Sequence, residues 1–497
     1  MAIAGASGFV GRALVDRLLD AGHRVFALGR SAVDGESWRG TAAVGRRCDL
    51  FSLKDAEDAL LGADVAVYLV HSMMPTARLT QAHFADMDAI LADNFGRAAA
   101  SAGLRQIVYL GGLLPDTDAL SEHLASRAEV EHLLGAHGVP VTSLRAGLVV
   151  GRGGSSYRIL ERLVRRLPVL VCPRWTQTRT QPIALDDVVE LIARSLGREA
   201  LYDEAYDVGG PDVLTYRDMI ARTAELLDLK RTVIDAPVLT PGLSTLWVST
   251  VTGVDSALVG PLVQSLRHDM VARDASLLET LGVEPTSFAE AVRRADEAMS
   301  TVPKRASSES VADRPAARVV EGPSSKGGPP EARRPRPDVR SIQRLPCPEG
   351  WSAHDVARAY LQWLPRFCWP WLHVDVSPDG VCRFEIAALG LCLLELRLSA
   401  ERSSADRALL YITGGVLSDV HYGDRDRLEF RTVGDGSAVM AAIHDFTPAL
   451  PWWIYVATQA PAHLVVMRAF ARHLRRQRRR LGAEDPGDDA LVDQSVV

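Results

Sequence analysis

Cysteine is scarce in this chain. The six among 497 residues (Cys48, Cys172, Cys347, Cys368, Cys382 and Cys392) form no C-x-x-C pair and no metal-ligand run with histidine. That argues against a disulfide scaffold and a metal site, and the cysteines read as mostly buried, reduced thiols of a cytoplasmic protein. Positive charge is not in excess: the formal net charge is −6, so nothing global suggests a nucleic-acid partner. Also missing is a run of about 18 or more uncharged apolar residues, so no spanning helix is expected. The nearest stretch, Pro451 to Met467, contains Gln459, Pro461 and His463 and reads as core. No signal peptide is expected, because the chain enters a glycine turn almost at once. What remains is an ordinary globular composition, 47% hydrophobic and 24% charged, in a chain long enough for two or three domains.

The first feature is that turn. Met1-Ala2-Ile3-Ala4 leads into Gly5-Ala6-Ser7-Gly8-Phe9-Val10-Gly11, and Val10, Ala13, Leu14 and Leu18 follow at helical spacing. In a strand–turn–helix of this kind the first glycine allows the sharp turn and the second lets backbone approach a pyrophosphate. The third lets the helix lie close on the sheet. Unpaired N–H groups at the helix start and the helix dipole together make an anion site. A purely structural turn is the alternative. Only four residues precede Gly5, fewer than a usual central strand has, which leaves room for a start upstream of Met1.

His23 to Leu28 reads as the second strand and ends at Gly29-Arg30. A carboxylate at this point bonds a ribose 2′-hydroxyl and a basic residue accommodates a 2′-phosphate, so Arg30 favours NADP over NAD. A solvated surface arginine is the bland reading. Further strands are expected at Val44 to Cys48, Asp64 to Val70, Gln106 to Leu110 and Val139 to Leu144. Between them lie helices, including a long one over Leu79 to Ala102 and another from Ser121 to about His137. The alternation predicts an α/β fold with a doubly wound parallel (Rossmann) sheet.

Seven runs resemble the atypical, NmrA-like short-chain dehydrogenase/reductases. They are GASGFVG at the turn, YLVHSM at Tyr68 to Met73, IVYLGGL at Ile107 to Leu113 and LSEHLASRAEVE at Leu120 to Glu131. The others are LRAGLVVG at Leu144 to Gly151, QPIALDDV at Gln181 to Val188 and YDVGGPDVLTY at Tyr206 to Tyr216. The resemblance spans about residues 1–300 and implies a bound NAD(P)(H), with NADP expected and NAD the other candidate. The residues assigned to the cofactor are Gly5, Ser7, Gly8, Phe9, Val10 and Gly11 in the turn, Arg30 after the second strand, Asp49 and Leu50 after the third, and Val70 and His71 after the fourth. By the same resemblance Arg145 to Gly147 line the nicotinamide end and Asp186 caps a helix. The resemblance departs where chemistry is usually done. Related enzymes carry a serine after the fifth strand and a Tyr-x-x-x-Lys pair on the next helix, whose lysine lowers the phenol pKa. Here Gly111 and Gly112 replace the serine, and His123-Leu124-Ala125-Ser126-Arg127 stands in the place of the pair. His123 and Arg127 share a helix face, so a neutral histidine could relay a proton. They are the candidate catalytic residues, and a surface pair with no catalytic part is the alternative.

Thr215 to about Leu229, Leu258 to Leu266 and Ala289 to Met299 read as helices of a smaller substrate lobe, with a loop-rich apolar stretch at Pro237 to Gly253. Residues 301–345 hold seven prolines, ten Lys or Arg against five Asp or Glu, and no aromatic residue, and read as a disordered basic linker. A second domain, 346–482, holds six of the nine tryptophans. Its period-two runs, from Val381 to His444, predict an antiparallel meander wet on one face. A helix near His354 to Leu361 and a long one over Ala462 to Leu481 flank it. This α+β arrangement resembles START-like helix-grip domains, and DFTPALPWWIYVATQAPAH (Asp445 to His463) is similar to an uncharacterised domain that follows such reductases. A cavity for a small apolar molecule and a solid core fit the pattern equally. The final helix ends in Arg472, Arg475, Arg476, Arg478, Arg479 and Arg480, which complement its dipole or suit an anionic membrane surface. Residues 483–497 form an acidic tail. The whole reads as a reductase-like NADP(H)-binding protein, either an oxidoreductase on a hydrophobic carbonyl or quinone-like substrate or a non-enzymatic redox sensor or assembly factor.

Overall fold

Seven short strands build the sheet on which the N-terminal site rests. In the computed structural model, which describes residues 1–72, 79–117, 120–236, 249, 253, 268–300, 339–419 and 425–481, all seven run parallel. Their spatial order is Val44–Arg47, Phe26–Gly29, Ala2–Ala4, Val65–Tyr68, Gln106–Gly112, Val141–Ala146 and Glu204–Val208. In chain order this is 3-2-1-4-5-6-7, a doubly wound sheet whose winding reverses between the first and fourth strands. The seventh strand was hidden inside the YDVGGP run. Helices Phe9–Asp20 and Leu185–Ser195 cover one face, where Leu14, Leu18, Val188 and Ile192 meet Ile3, Val67 and Val108, all without solvent exposure. Full burial of each such leucine or isoleucine contributes about 1.5–3 kcal/mol.

The chain divides into two units, 1–73 with 91–332 and 74–90 with 333–497. The second contains an eight-stranded sheet in the order His373–Val376, Val381–Ile386, Leu391–Leu398, Arg407–Gly414, Arg427–Val433, Ala438–Phe446, Val339–Pro346 and Leu79–Gln81. Helices Ala353–Phe367 and Gln459–Arg480 share one apolar core with this sheet, through Tyr360, Leu364, Met467, Phe470 and Leu474. The helix-plus-antiparallel-sheet composition is therefore present.

Several expectations change. The helix foreseen over Leu79 to Ala102 occupies only Phe84–Ser101. Its supposed first turn is the strand Leu79–Gln81, which pairs in parallel with Val339–Ser341 and accepts at the Gln81 carbonyl from the Gln343 amide (2.9 Å). The end of the supposed linker is likewise ordered, because Val339–Pro346 fills the position between Ala438–Phe446 and Leu79–Gln81. The remainder of that linker, the helix at Leu258 to Leu266, most of Pro237 to Gly253 and the acidic tail lie outside the described residues. The meander is not simply wet on one face either: Arg407, Arg427, Glu429, Arg431 and His444 are all buried. Glu429 makes this tolerable by accepting from Arg407 (3.0 Å) and pairing with Arg431.

Burial alone would raise the Glu429 pKa, but the Arg431 and Arg407 charges overcome it and hold it well below the ordinary carboxylate value. A depressed folded-state pKa adds stability above the unfolded value, near 4.3, that is lost as pH falls. Glu429→Gln should therefore cost about 3–5 kcal/mol, the usual penalty for leaving buried charge uncompensated. It should also flatten the acid limb of stability below about pH 4.5. Urea melts followed by tryptophan fluorescence at several pH values check both.

Candidate functional site

At the end of strand Ala2–Ala4 the backbone turns through Gly5, whose φ of +87° strains any side chain. The Gly8 amide donates to the Gly5 carbonyl (2.9 Å), and Gly8 then caps helix Phe9–Asp20 without a side-chain bond. The tightest position is Gly11, where a Cβ would sit 2.2 Å from the Gly5 oxygen and 2.8 Å from Ala6 Cα. Helix and turn touch backbone to backbone, and the helix N–H groups face outward over exposed Ser7 and Gly8. This side-chain-free cradle at a positive helix end fits a dinucleotide pyrophosphate.

The other cofactor candidates lie at neighbouring strand ends. Arg30 is exposed and has no hydrogen bond or ion pair among the described residues. Asp49 accepts from the Phe51 amide (3.2 Å), and the Leu50 carbonyl accepts from the buried Asn94 amide (2.8 Å). Val70 and His71 follow strand Val65–Tyr68, next to the turn. The Phe9 ring lies beside Gly151, Gly153 and Gly154, and Val10 is half-buried. Sequence reading missed Arg12, whose Nε donates to the Ser7 carbonyl (2.8 Å) and whose pKa is lowered by burial and by nearby Arg39. The one signal for Arg12 was its place directly after Gly11.

Beyond the turn lies a cavity of about 340 Å³. One part of its wall is made by His71, His123 and Arg127, beside Gly111 and Gly112 at the end of strand Gln106–Gly112, and Ser155 and Ser156 add hydroxyls elsewhere in the lining. Helix Glu122–Gly135, capped by Ser121, places His123 and Arg127 one turn apart on the same wall. Arg127 is buried, at 7% exposure. Burial and that cation pull the His123 pKa down to about 4, so its imidazole is neutral at pH 7. Surrounding protein and the Arg127 and His123 charges also lower His71. A Cβ on Gly111 would strike the Tyr109 ring (2.8 Å), whereas one on Gly112 would meet only Arg127 Cγ, at 4.0 Å.

The rest of the wall is largely apolar. Ile159, Leu160 and Leu163 come from helix Ser155–Arg166, and Met219 and Ile220 from helix Tyr216–Leu226. Trp175, Thr180, Tyr216 and Met270 complete it. These were not foreseen, since cavity-facing apolar residues carry the same period as core. Burial pushes the Tyr216 phenol up to about 12, with nearby Thr180 acting the other way. Two expectations are corrected. Ala146 and Gly147 line the cavity, but Arg145 is drawn into a bidentate pair with Glu131 (2.7 and 3.0 Å). Asp186 is no cap, because Ala184 holds that position without a side-chain bond and Asp186 pairs with Arg294 (3.3 Å). Its neighbour Asp187 is buried and accepts from the Thr286 amide and hydroxyl (2.7 and 2.8 Å).

Residues 1–209 match the model of the NAD dependent epimerase/dehydratase family. Among curated proteins, the auxiliary protein GraX of Staphylococcus aureus is 27% identical over 139 residues, 28% of this chain and 41% of GraX. An uncharacterized protein of Mycobacterium tuberculosis is 28% identical over 239 residues, 48% of this chain and 24% of that protein. The aligned part thus spans less than half the length of either relative. Similar solved structures include a nucleoside-diphosphate-sugar epimerase from Staphylococcus aureus (16% identity, TM-score 0.48, 59% of this chain and 99% of that one). Another is an NADPH-dependent quinone oxidoreductase from Escherichia coli with NADPH (19%, 0.47, 59% and 98%). A third is the triphenylmethane reductase of Citrobacter sp. with NADP(H) (16%, 0.48, 59% and 99%). The N-terminal part of the chain has a doubly wound parallel sheet of the Rossmann kind, and its residues 1–209 resemble that NAD-dependent family.

The two glycine contacts generate opposite expectations. Gly11→Ala forces backbone apart, so it should lower the melting temperature by the equivalent of about 1–3 kcal/mol and abolish NADPH binding. Gly112→Ala has room and should leave the melting temperature unchanged. Thermal melts and calorimetric titration of both variants check this.

Proposed function

We propose that the N-terminal unit binds NADP(H) along the glycine turn and reduces a hydrophobic carbonyl or quinone-like compound in the adjoining cavity. The observation that carries this is a largely apolar cavity with a buried guanidinium, Arg127, and a neutral imidazole, His123, on one wall. The cofactor, when bound, supplies the hydride. Arg127 holds a fixed positive charge against the substrate oxygen as negative charge develops there, in surroundings that screen it poorly. His123, uncharged, donates an N–H bond to the same oxygen and relays its proton. The wall of leucine, isoleucine and methionine side chains selects an apolar body and excludes water. Arg30 binds the 2′-phosphate.

The replacement of tyrosine and lysine by His123 and Arg127 favours a second reading, in which cofactor binding reports redox state or supports an assembly. A panel of carbonyls and quinones with NADPH separates the two: binding without turnover of any member leaves the second. Under the first, His123→Ala should slow turnover roughly 10²–10⁴-fold with cofactor affinity unchanged. Arg127→Met should cost on the order of 10²–10³-fold at pH 7.

The pH profile distinguishes the roles of the pair. With a His123 pKa of about 4, wild-type turnover shows no imidazole inflection at neutral pH. Removing the Arg127 cation raises that pKa toward the ordinary value near 6.5. The variant's rate should then rise on the acid side of a new inflection. For the cofactor, Arg30→Asp should remove a preference for NADPH over NADH worth about 1.5–3 kcal/mol. Equal wild-type affinities in calorimetry would overturn it.

A further inference from the structure

No helix among the described residues is long and apolar enough to cross a membrane, yet the C-terminal unit exposes tryptophan as few proteins do. Trp369 is 79% exposed and Trp371 73%, in the turn that follows helix Ala353–Phe367. The turn is ordered, with the Trp371 amide donating to the Cys368 carbonyl (2.9 Å). Trp453, also 73% exposed, stands on helix Trp452–Ala457 with exposed Val456 one turn on. Tryptophan has enough area to be buried at a large gain, and its amphipathic ring is enriched where water meets lipid headgroups.

The charge on the unit's final helix has one sign. Helix Gln459–Arg480 contains no Asp or Glu, and its outer stripe reads Val465, Arg468, Arg472, Arg476 and Arg479, all exposed. These positions are three or four apart and therefore lie on one face. Arg468, Arg472 and Arg476 have no ion-pair partner among the described residues. The helix that carries the stripe is joined to the tryptophan turn by rings on its inner, core-facing side. Phe367 stacks on Trp363 (4.7 Å between centroids), and Trp363 packs against Phe470 (5.2 Å) and His473 (6.0 Å), the latter next to Arg472. Exposed Val465 begins the arginine stripe one short helix after Trp453. Dipole complementation explains arginines in the last turn, but not Arg468 and Arg472, two or more turns from the helix end.

We infer that this face is a peripheral membrane-docking surface, in which Trp369, Trp371 and Trp453 enter the headgroup layer of an anionic bilayer and Arg468, Arg472 and Arg476 bind its lipid phosphates. Two kinds of contact act together, apolar insertion and charge attraction, as stable peripheral binding requires. The proposal is independent of the function proposed for the N-terminal cavity.

The test is co-sedimentation of the full chain with vesicles of phosphatidylcholine alone and with about a third phosphatidylglycerol added. Binding is expected to the anionic vesicles only, weakening as salt rises, with a blue shift of tryptophan fluorescence and quenching by brominated acyl chains. Arg468→Gln, Arg472→Gln and Arg476→Gln together should weaken it on the order of 100-fold, at about a fivefold loss per arginine. Trp371→Ser with Trp453→Ser should remove most of the blue shift while circular dichroism is unchanged. Quenching in the wild-type chain needs no variant and so stands if one fails to fold. The inference is overturned if the wild type ignores anionic vesicles at low salt, or if the triple variant binds as well as wild type. It is also overturned if binding appears only after truncation behind Leu481, which would make the acidic tail the occupant of the stripe, or if single-stranded oligonucleotides bind and vesicles do not.

Discussion

Everything at the N-terminal site depends on one steric contact, the backbone of helix Phe9–Asp20 at Gly11 against the carbonyl of Gly5. With a Cβ the helix would have to move outward by more than an ångström, taking its N–H groups and its dipole away from the strand end. Without one, the positive helix terminus is fixed over the point where the sheet's winding reverses. The same closeness fixes the far wall. Phe9, the first residue of that helix, lies against Gly151, Gly153 and Gly154, whose bare backbones accept its ring and carry the chain into helix Ser155–Arg166. The Phe9 ring therefore bridges the glycine turn and the start of helix Ser155–Arg166.

Within the cavity, electrostatics are decided by the order in which charge and burial act on the polar pair. Arginine keeps its charge in almost any surroundings, so burial of Arg127 produces a cation rather than a neutral base. Histidine yields, and burial first and the Arg127 cation second keep His123 neutral. A Tyr-x-x-x-Lys pair divides the work differently: there the cation lowers the pKa of an acid so that it can ionise. Here the cation lowers the pKa of a base so that it stays uncharged. The proposed chemistry follows that difference, with charge stabilisation assigned to Arg127 and proton relay to an uncharged ring.

Legibility in the sequence followed the range of the interactions concerned. The glycine turn, the parallel strands and the His123–Arg127 face were readable because each is set by neighbours within a turn or by a strict period. Leu79–Gln81 was not, since its pattern continues smoothly into helix Phe84–Ser101 and only pairing with Val339–Ser341, some 260 positions away, makes it a strand. Val339–Pro346 was obscured by the proline- and arginine-rich residues before it, although its Ile342 and Leu345 are core. The cavity wall from Ile159 to Met270 was invisible for a different reason. A leucine facing a ligand and a leucine facing another leucine are the same letter at the same period, and only the packing separates them.

The C-terminal unit reverses the usual placement of its side chains. Arg431 is 1% exposed and Trp369 is 79% exposed. Sheet pairing accounts for the first half of the reversal, because Arg407 lies opposite Arg431 and Glu429 is placed to neutralise both. Among the described residues no comparable internal reason accounts for the second half. An indole of roughly 150–250 Å² left in water forgoes several kcal/mol at about 25 cal/mol per Å². One such ring on a surface is ordinary, but three in a unit whose final helix carries exposed arginines and no carboxylate are not. The sheet's buried Arg407 and Arg431 pair with Glu429, whereas Arg468, Arg472 and Arg476 have no ion-pair partner among the described residues, so attraction to an external anionic surface is left to the helix and the insertion of apolar area to the exposed rings.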